Sequence, residues 1–170
     1  MQSSSWSFLC AGLVVSVMVG GCSAGQRQMV AHYESPADTI STFPPCDPKT
    51  FRPGMECRGT AASGGPTILT GDWDGTIEYQ YGWVAAPSGD QFAAIVETFR
   101  GTVRGCGRGS FMNFLFMTES NGTIRATWNT IYGSGTGDLV NLRSHGEITG
   151  VFREDYTSAG DFRGVIECGR

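Results

Sequence analysis

The feature that most constrains this chain is a series of short segments after Trp73 whose side chains alternate between two faces. In GTIEYQYGWVAA, Ile77, Tyr79 and Tyr81 share one face, and Thr76, Glu78 and Gln80 share the other. The segment TIRATWNTI alternates in the same way. A period of two residues is typical of β-strands with one covered face.

Turn signals separate these segments and favour an antiparallel arrangement. Asn121-Gly122 lies between two of them, and this pair is a strong short-range signal for a β-hairpin. Strands that recur every 8–12 residues or so with hairpin turns indicate a meander closed into a barrel, or a sandwich. Closure removes exposed strand edges. The sequence therefore predicts an all-β fold, a closed antiparallel barrel of about eight strands.

The first 25 residues predict where in the cell the protein is located. An apolar run from Phe8 to Val19 is too short to span a bilayer but fits the apolar region of a signal peptide. It ends on Val19-Gly20-Gly21-Cys22, which resembles a bacterial lipobox, although residues 1–7 carry no Lys or Arg. On this interpretation residues 1–21 are the signal peptide, and acyl chains on Cys22 anchor the protein to the outer side of a bacterial cell membrane. The alternative is a buried N-terminal strand or helix.

Four cysteines remain once Cys10 is removed with the signal and Cys22 is lipidated. An even number in an oxidising compartment predicts two disulfides, for which three pairings exist. We favour Cys46–Cys57 and Cys106–Cys168. Zinc is the rival interpretation, but the chain has no C-x-x-C motif and both histidines lie far in sequence from any cysteine. We therefore expect no metal.

Proline placement predicts the domain organisation. Six of the seven prolines lie between Pro36 and Pro66, so residues 22–65 are expected to form a lipidated tether that contains a local disulfide. Residues 66–170 are expected to form the barrel domain.

Charge and motifs exclude several classes of function. A net charge of −4 argues against nucleic acid as a partner. The glycine-rich segment GSGTGDLVNLRSHG lacks the third glycine of a dinucleotide fingerprint, and Lys49 is the only lysine, which excludes a P-loop. We predict a glycine corner followed by one helical turn that plugs the barrel, with Asp138 as its N-cap. No cofactor is expected, and the oligomeric state is left open.

Three segments resemble a bacterial domain family of unknown function with an allene oxide cyclase-like barrel. They are VETFRGTVRGCGRGSFMNFLF, TWNTIYGSGTGDLVNLRSHGEITG and GDFRGVIE, and the resemblance covers Trp73 to Cys168. It implies an eight-stranded, calycin-like antiparallel barrel. Relatives by fold include allene oxide cyclases, dirigent proteins and some bacterial Diels–Alder cyclases, which guide a reactive substrate inside an apolar cup.

Glu97 is the candidate catalytic residue. It shares a face with Ala93, Ile95 and Phe99, so a cavity-facing position would raise its pKa and make it a general acid or a ligand anchor. An outward position would make it an ordinary solvated glutamate. We find no Ser–His–Asp or Cys–His constellation.

Three functions remain. The first is a lipoprotein whose barrel binds a small apolar or amphipathic molecule. The second is a cyclase or isomerase in which Glu97 orients the substrate. The third is a structural module with a filled barrel. The expected ligand-binding residues are Tyr79, Tyr81, Phe114, Phe116 and Trp128.

Overall fold

The computed structural model describes residues 25–42 and 57–169, and within these ranges it contains ten β-strands, one 3-10 turn and no α-helix. The strands are β1 (Gln26–Ser35), β2 (Thr39–Thr42), β3 (Cys57–Ala62), β4 (Thr67–Gly71), β5 (Trp73–Ala85), β6 (Gln91–Val103), β7 (Gly107–Ser120), β8 (Thr123–Thr130), β9 (Arg143–Phe152) and β10 (Ser158–Glu167). The 3-10 turn is Gly137–Leu139. None of the helical structure in these ranges is long and apolar enough to cross a membrane.

Eight strands close into an antiparallel barrel in the order β5-β4-β1-β10-β9-β8-β7-β6, with β6 pairing back to β5. β3 continues along the same edge of β5 beyond β4, and β2 pairs with β3. The predicted closed antiparallel barrel is therefore confirmed. The Asn121-Gly122 hairpin is also present, because both residues have the positive φ angles, 50° and 75°, that such a tight turn requires.

The barrel begins earlier than the sequence predicted. Residues 22–65 were expected to be a tether, but Gln26–Ser35 forms β1 and pairs with both β4 and β10. Met29, Ala31 and Tyr33 of this strand are buried in the core, while the residues between them face solvent. Four inward positions carry this alternation, the fourth being Ser35, and the prolines that follow led to the tether prediction.

One half of the barrel is filled by aromatic side chains. The rings of Phe99, Phe111, Trp128 and Phe162 lie with centroids 5.0–5.5 Å from that of Trp73. Such packing of rings contributes beyond the burial of their area. We call this half the closed half. The 3-10 turn covers it, with Leu139 fully buried, which matches the predicted plug. Asp138 is not its N-cap: Thr136 holds that position, and the Asp138 carboxylate accepts from the Arg108 backbone N–H at 3.0 Å.

Glycines on the inner face make room for large rings. Tyr33 lies in one row with Gly160 and Gly150, and a Cβ on Gly160 would lie 2.8 Å from Tyr33 Cε1. Trp128 has the same relation to Gly164, where a Cβ would lie 2.8 Å from its Cζ2. These three glycines do not adopt positive φ angles, so what they supply is space.

A disulfide ties the closed half together. Cys106, in the turn between β6 and β7, is bonded to Cys168, which follows β10, with a Cα–Cα distance of 5.3 Å. This is one of the two expected bonds. Cys57 is also disulfide-bonded. Cys46 and the predicted lipidation site Cys22 lie outside the described residues, as does the signal peptide.

Candidate functional site

The half of the barrel opposite the 3-10 turn contains a cavity of about 70 Å³. We call this half the open half. Its lining is mostly apolar and includes inward positions of all eight barrel strands. The lining residues are Tyr33, Asp38, Thr67, Ile77, Tyr79, Tyr81, Ile95, Glu97, Leu115, Met117, Ile124, Ala126, Ile148, Phe152, Ser158 and Phe162. The volume accommodates a small molecule of a few heavy atoms rather than a drug-sized ligand.

Glu97 lies on the cavity wall, in the middle of β6. Its side chain is 3% exposed and sits between the inward-facing Ile95 and Phe99. Burial disfavours the charged form and raises the pKa of Glu97 to about 7, although a hydrogen bond from Asn113 opposes the shift. At neutral pH this carboxyl group is therefore divided between its neutral and charged forms.

Asn113 holds Glu97 in place through a chain of hydrogen bonds that crosses four strands. Its Nδ2 donates to Glu97 Oε1 at 2.7 Å, and its Oδ1 accepts from the Thr130 hydroxyl at 3.0 Å. The Thr130 hydroxyl is in turn bonded to Ser144 Oγ, which serves as the donor because the Thr130 proton is already committed. The chain fixes the orientation of the Asn113 amide, and with it the position of one Glu97 oxygen.

A second carboxyl group lies at the rim of the cavity. Asp38, between β1 and β2, accepts hydrogen bonds from the hydroxyls of Tyr79 at 2.6 Å and Tyr81 at 2.5 Å. Burial raises the pKa of Asp38, against the lowering effect of the two phenols. The backbone N–H of Asp38 donates to the carbonyl of Tyr156 at 3.3 Å. The residue therefore connects two loops and two wall tyrosines.

Tyr33 is a further polar residue of the cavity wall, beside Thr67 and Ser158. Desolvation raises the pKa of its phenol to about 12, so the phenol stays protonated at neutral pH. Its ring packs edge-on against Phe162 at 5.7 Å. Tyr33 thus presents both an aromatic surface and a hydroxyl to the open half.

The structure brings together three of the six residues predicted for the site. Tyr79, Tyr81 and Glu97 line one cavity. Trp128 is fully buried among the rings of the closed half and is not among the lining residues. Phe116 is 63% exposed and packs against Phe114 on the outer face of β7.

The sequence prediction misplaced the two phenylalanines because both faces of β7 are apolar. Phe111, Leu115 and Met117 occupy one face, and Phe114 and Phe116 the other. Periodicity therefore predicts a strand here but cannot say which face is inside. Pairing with β6 places Leu115 beside the inward-facing Ile95 and so decides it.

Sequence reasoning missed Asp38, Asn113 and Tyr33. Asn113 had a usable signal, because it is the polar residue within the apolar face that contains Phe111 and Leu115. Asp38 and Tyr33 lie in the segment that was predicted to be a tether, and their local sequence carries no comparable signal.

Comparisons with known proteins add a family and a fold. Residues 60–160 match the model of a family described as a protein of unknown function, DUF3224. A crystal structure of a DUF3224 protein of unknown function from Shewanella oneidensis MR-1 is similar, with a TM-score of 0.59 at 13% identity. The match covers 85% of this chain and 98% of that one. No curated protein matches the chain at a significant level.

Proposed function

We propose, for a chain that belongs to the DUF3224 family of proteins of unknown function, that the barrel binds a small, mostly apolar molecule in its open half. The observation that carries the proposal is one buried carboxyl group, Glu97, in the wall of an otherwise mostly apolar cavity. An apolar pocket with a few convergent polar groups is the usual form of a small-molecule site. The apolar part of the ligand would be held by burial, and its polar end by Glu97.

We place this binding protein at the cell envelope. The proposal is supported by the apolar run that precedes Cys22 and by the Cys106–Cys168 disulfide, a bond typical of oxidising compartments. The closeness of Cys22 to the start of β1 at Gln26 would hold the barrel near the bilayer. Mass spectrometry of the membrane-extracted protein should find an acylated Cys22. An unmodified Cys22 in a water-soluble protein would contradict the location but not the binding.

The binding proposal is tested by filling the cavity. Ala126 lines the cavity and Ala94 is exposed on the outer face of β6, so Ala126→Leu and Ala94→Leu add the same atoms inside and outside. In an NMR titration with 1-butanol, we expect wild type and Ala94→Leu to give saturable shifts at cavity residues. Ala126→Leu should lose most of that response while remaining folded. Equal responses from both variants, or none from wild type, would refute binding in the cavity.

One observation favours a second function, that of a cyclase or isomerase of the allene oxide cyclase type. A carboxyl group with a pKa of about 7 is suited to donate and accept protons at neutral pH. Native mass spectrometry of protein purified from its own membrane would identify a co-purifying molecule. If the protein converts that molecule, Glu97→Gln should abolish conversion and spare binding. Binding without conversion would leave the first function.

A further inference from the structure

We propose that the polar end of the ligand is a basic nitrogen, so that the cavity selects small alkylammonium ions over neutral or anionic molecules of the same shape. This inference rests on the proposed binding function and adds the chemical class of the ligand. Three features of the open half carry it: the sign of its charged groups, its aromatic wall and the hydrogen bonds of Glu97.

Two carboxylic acids lie at the cavity, one in its wall and one at its rim. Among the lining residues in the described part of the chain, Glu97 and Asp38 are carboxylic acids, and Lys, Arg and His are absent. Arg153, on the loop between β9 and β10, is exposed and donates to Thr157 Oγ1 at 3.1 Å. Its charge lowers the pKa of the lining residue Tyr33, but it does not itself line the cavity. A carboxylate or phosphate in the cavity would therefore be buried beside like charges with no cationic side chain in the lining to pair with, which is costly.

The wall between the two acids is aromatic. Tyr33, Tyr79, Tyr81 and Phe162 all line the cavity, and the rings of Tyr79 and Tyr81 lie 6.0 Å apart. Because both of these phenol protons are donated to Asp38, these side chains offer a ligand mainly their ring surfaces. Ring faces attract cations most strongly where water is excluded. An aromatic wall beside a carboxylate is therefore matched to an ammonium group with a short alkyl chain.

Glu97 has one oxygen committed and one available. Asn113 Nδ2 donates to Oε1, and no protein hydrogen bond reaches Oε2 from the residues that the structure describes. An ammonium group has donors only, so it can donate to a carboxylate oxygen and neutralise its charge. A neutral hydroxyl can form the hydrogen bond but not the ion pair.

The test compares three probes that share a four-carbon chain: butylamine, 1-butanol and butyrate, each titrated into the protein at pH 7 and followed by NMR. We expect butylamine to bind about ten-fold more tightly than 1-butanol, as one well-placed charged contact gives, and butyrate to bind most weakly. Glu97→Gln should remove the preference for butylamine, because the glutamine amide can still hydrogen-bond to a hydroxyl but cannot neutralise an ammonium group. Glu78→Gln, on the exposed outer face of β5, is the matched control and should preserve the preference.

Each other outcome has a distinct meaning. If 1-butanol or butyrate binds as tightly as butylamine, the ligand class is wrong and the binding function stands. If no probe binds, the binding function itself is wrong. Should Glu97→Gln fail to fold, wild type titrated at pH 5 replaces it: Glu97 is then mostly protonated and cannot form the ion pair, so an unchanged preference there would overturn the inference.

Discussion

Among single residues, Glu97 has an environment far from that of a carboxyl group in water. Burial among apolar side chains raises its pKa from 4.5 to about 7, while the Asn113 amide partly opposes the shift. The folded protein therefore binds the Glu97 proton more tightly than the unfolded chain does. This difference makes the stability of the protein depend on pH.

The pH dependence has a definite sign. The stabilisation from protonated Glu97 is complete below pH 4.5 and is lost as the pH rises through about 7. The shift corresponds to roughly 3 kcal/mol. We expect the unfolding free energy of wild type to fall by about this amount, relative to that of Glu97→Gln, between pH 4 and pH 8. Denaturant titrations of both proteins across this range measure the difference. Parallel pH profiles would show that Glu97 is not buried as described.

Among the strands, β7 shows most clearly how the barrel decides which of two apolar faces lies inside. Both of its faces are apolar. One face lies inside the barrel, in register with the inward residues of β6, and the other carries the exposed Phe116 and the half-buried Phe114. The inner face is the one that contributes to folding, because it is removed from water.

Two adjacent residues of β7 test this assignment. Leu115 is 3% exposed and Phe116 is 63% exposed. Leu115→Ala should lower the unfolding free energy by about 2–5 kcal/mol, since it empties part of a packed interior. Phe116→Ala should change it by less than about 1 kcal/mol, although it removes a larger side chain. Urea unfolding of the two variants decides the matter, and the reverse ranking would place the other face of β7 inside.

For the molecule as a whole, closure of the barrel depends on contacts between parts of the chain that are distant in sequence. The β5–β6 pairing closes the ring of strands, and the Cys106–Cys168 bond joins the β6–β7 turn to the segment after β10. The two cysteines are 62 residues apart in sequence. A cross-link over so long a loop restricts the unfolded chain strongly.

Removing this cross-link should lower stability substantially. Chain entropy predicts a loss of about 4 kcal/mol for the double variant Cys106→Ser/Cys168→Ser. Comparing the variant with wild type under oxidising conditions isolates this bond, because the disulfide of Cys57 remains in both proteins. Thermal and urea unfolding measure the effect. A loss below about 1 kcal/mol would mean that the packing of the closed half holds the β6–β7 turn beside the segment after β10 even without the bond.

The cavity itself was only partly predictable. Glu97 and the two tyrosines emerged from local alternation, because each shares a face with apolar residues two positions away. Asp38 did not, since its role depends on a loop between β1 and β2 meeting two hydroxyls more than 40 residues away. No local pattern encodes a contact of that range.

Turn chemistry and period-two alternation are local properties, so the sequence alone predicts the all-β class, the Asn121-Gly122 turn and the fact that Glu97 shares a face with Ile95 and Phe99. Closure of the barrel brings β1 into it, turns the Glu97 face of β6 and the Leu115 face of β7 inward, and brings Asn113 to Glu97. These depend on strand register and on the volume that the rings around Trp73 occupy, so they are settled only when the barrel closes.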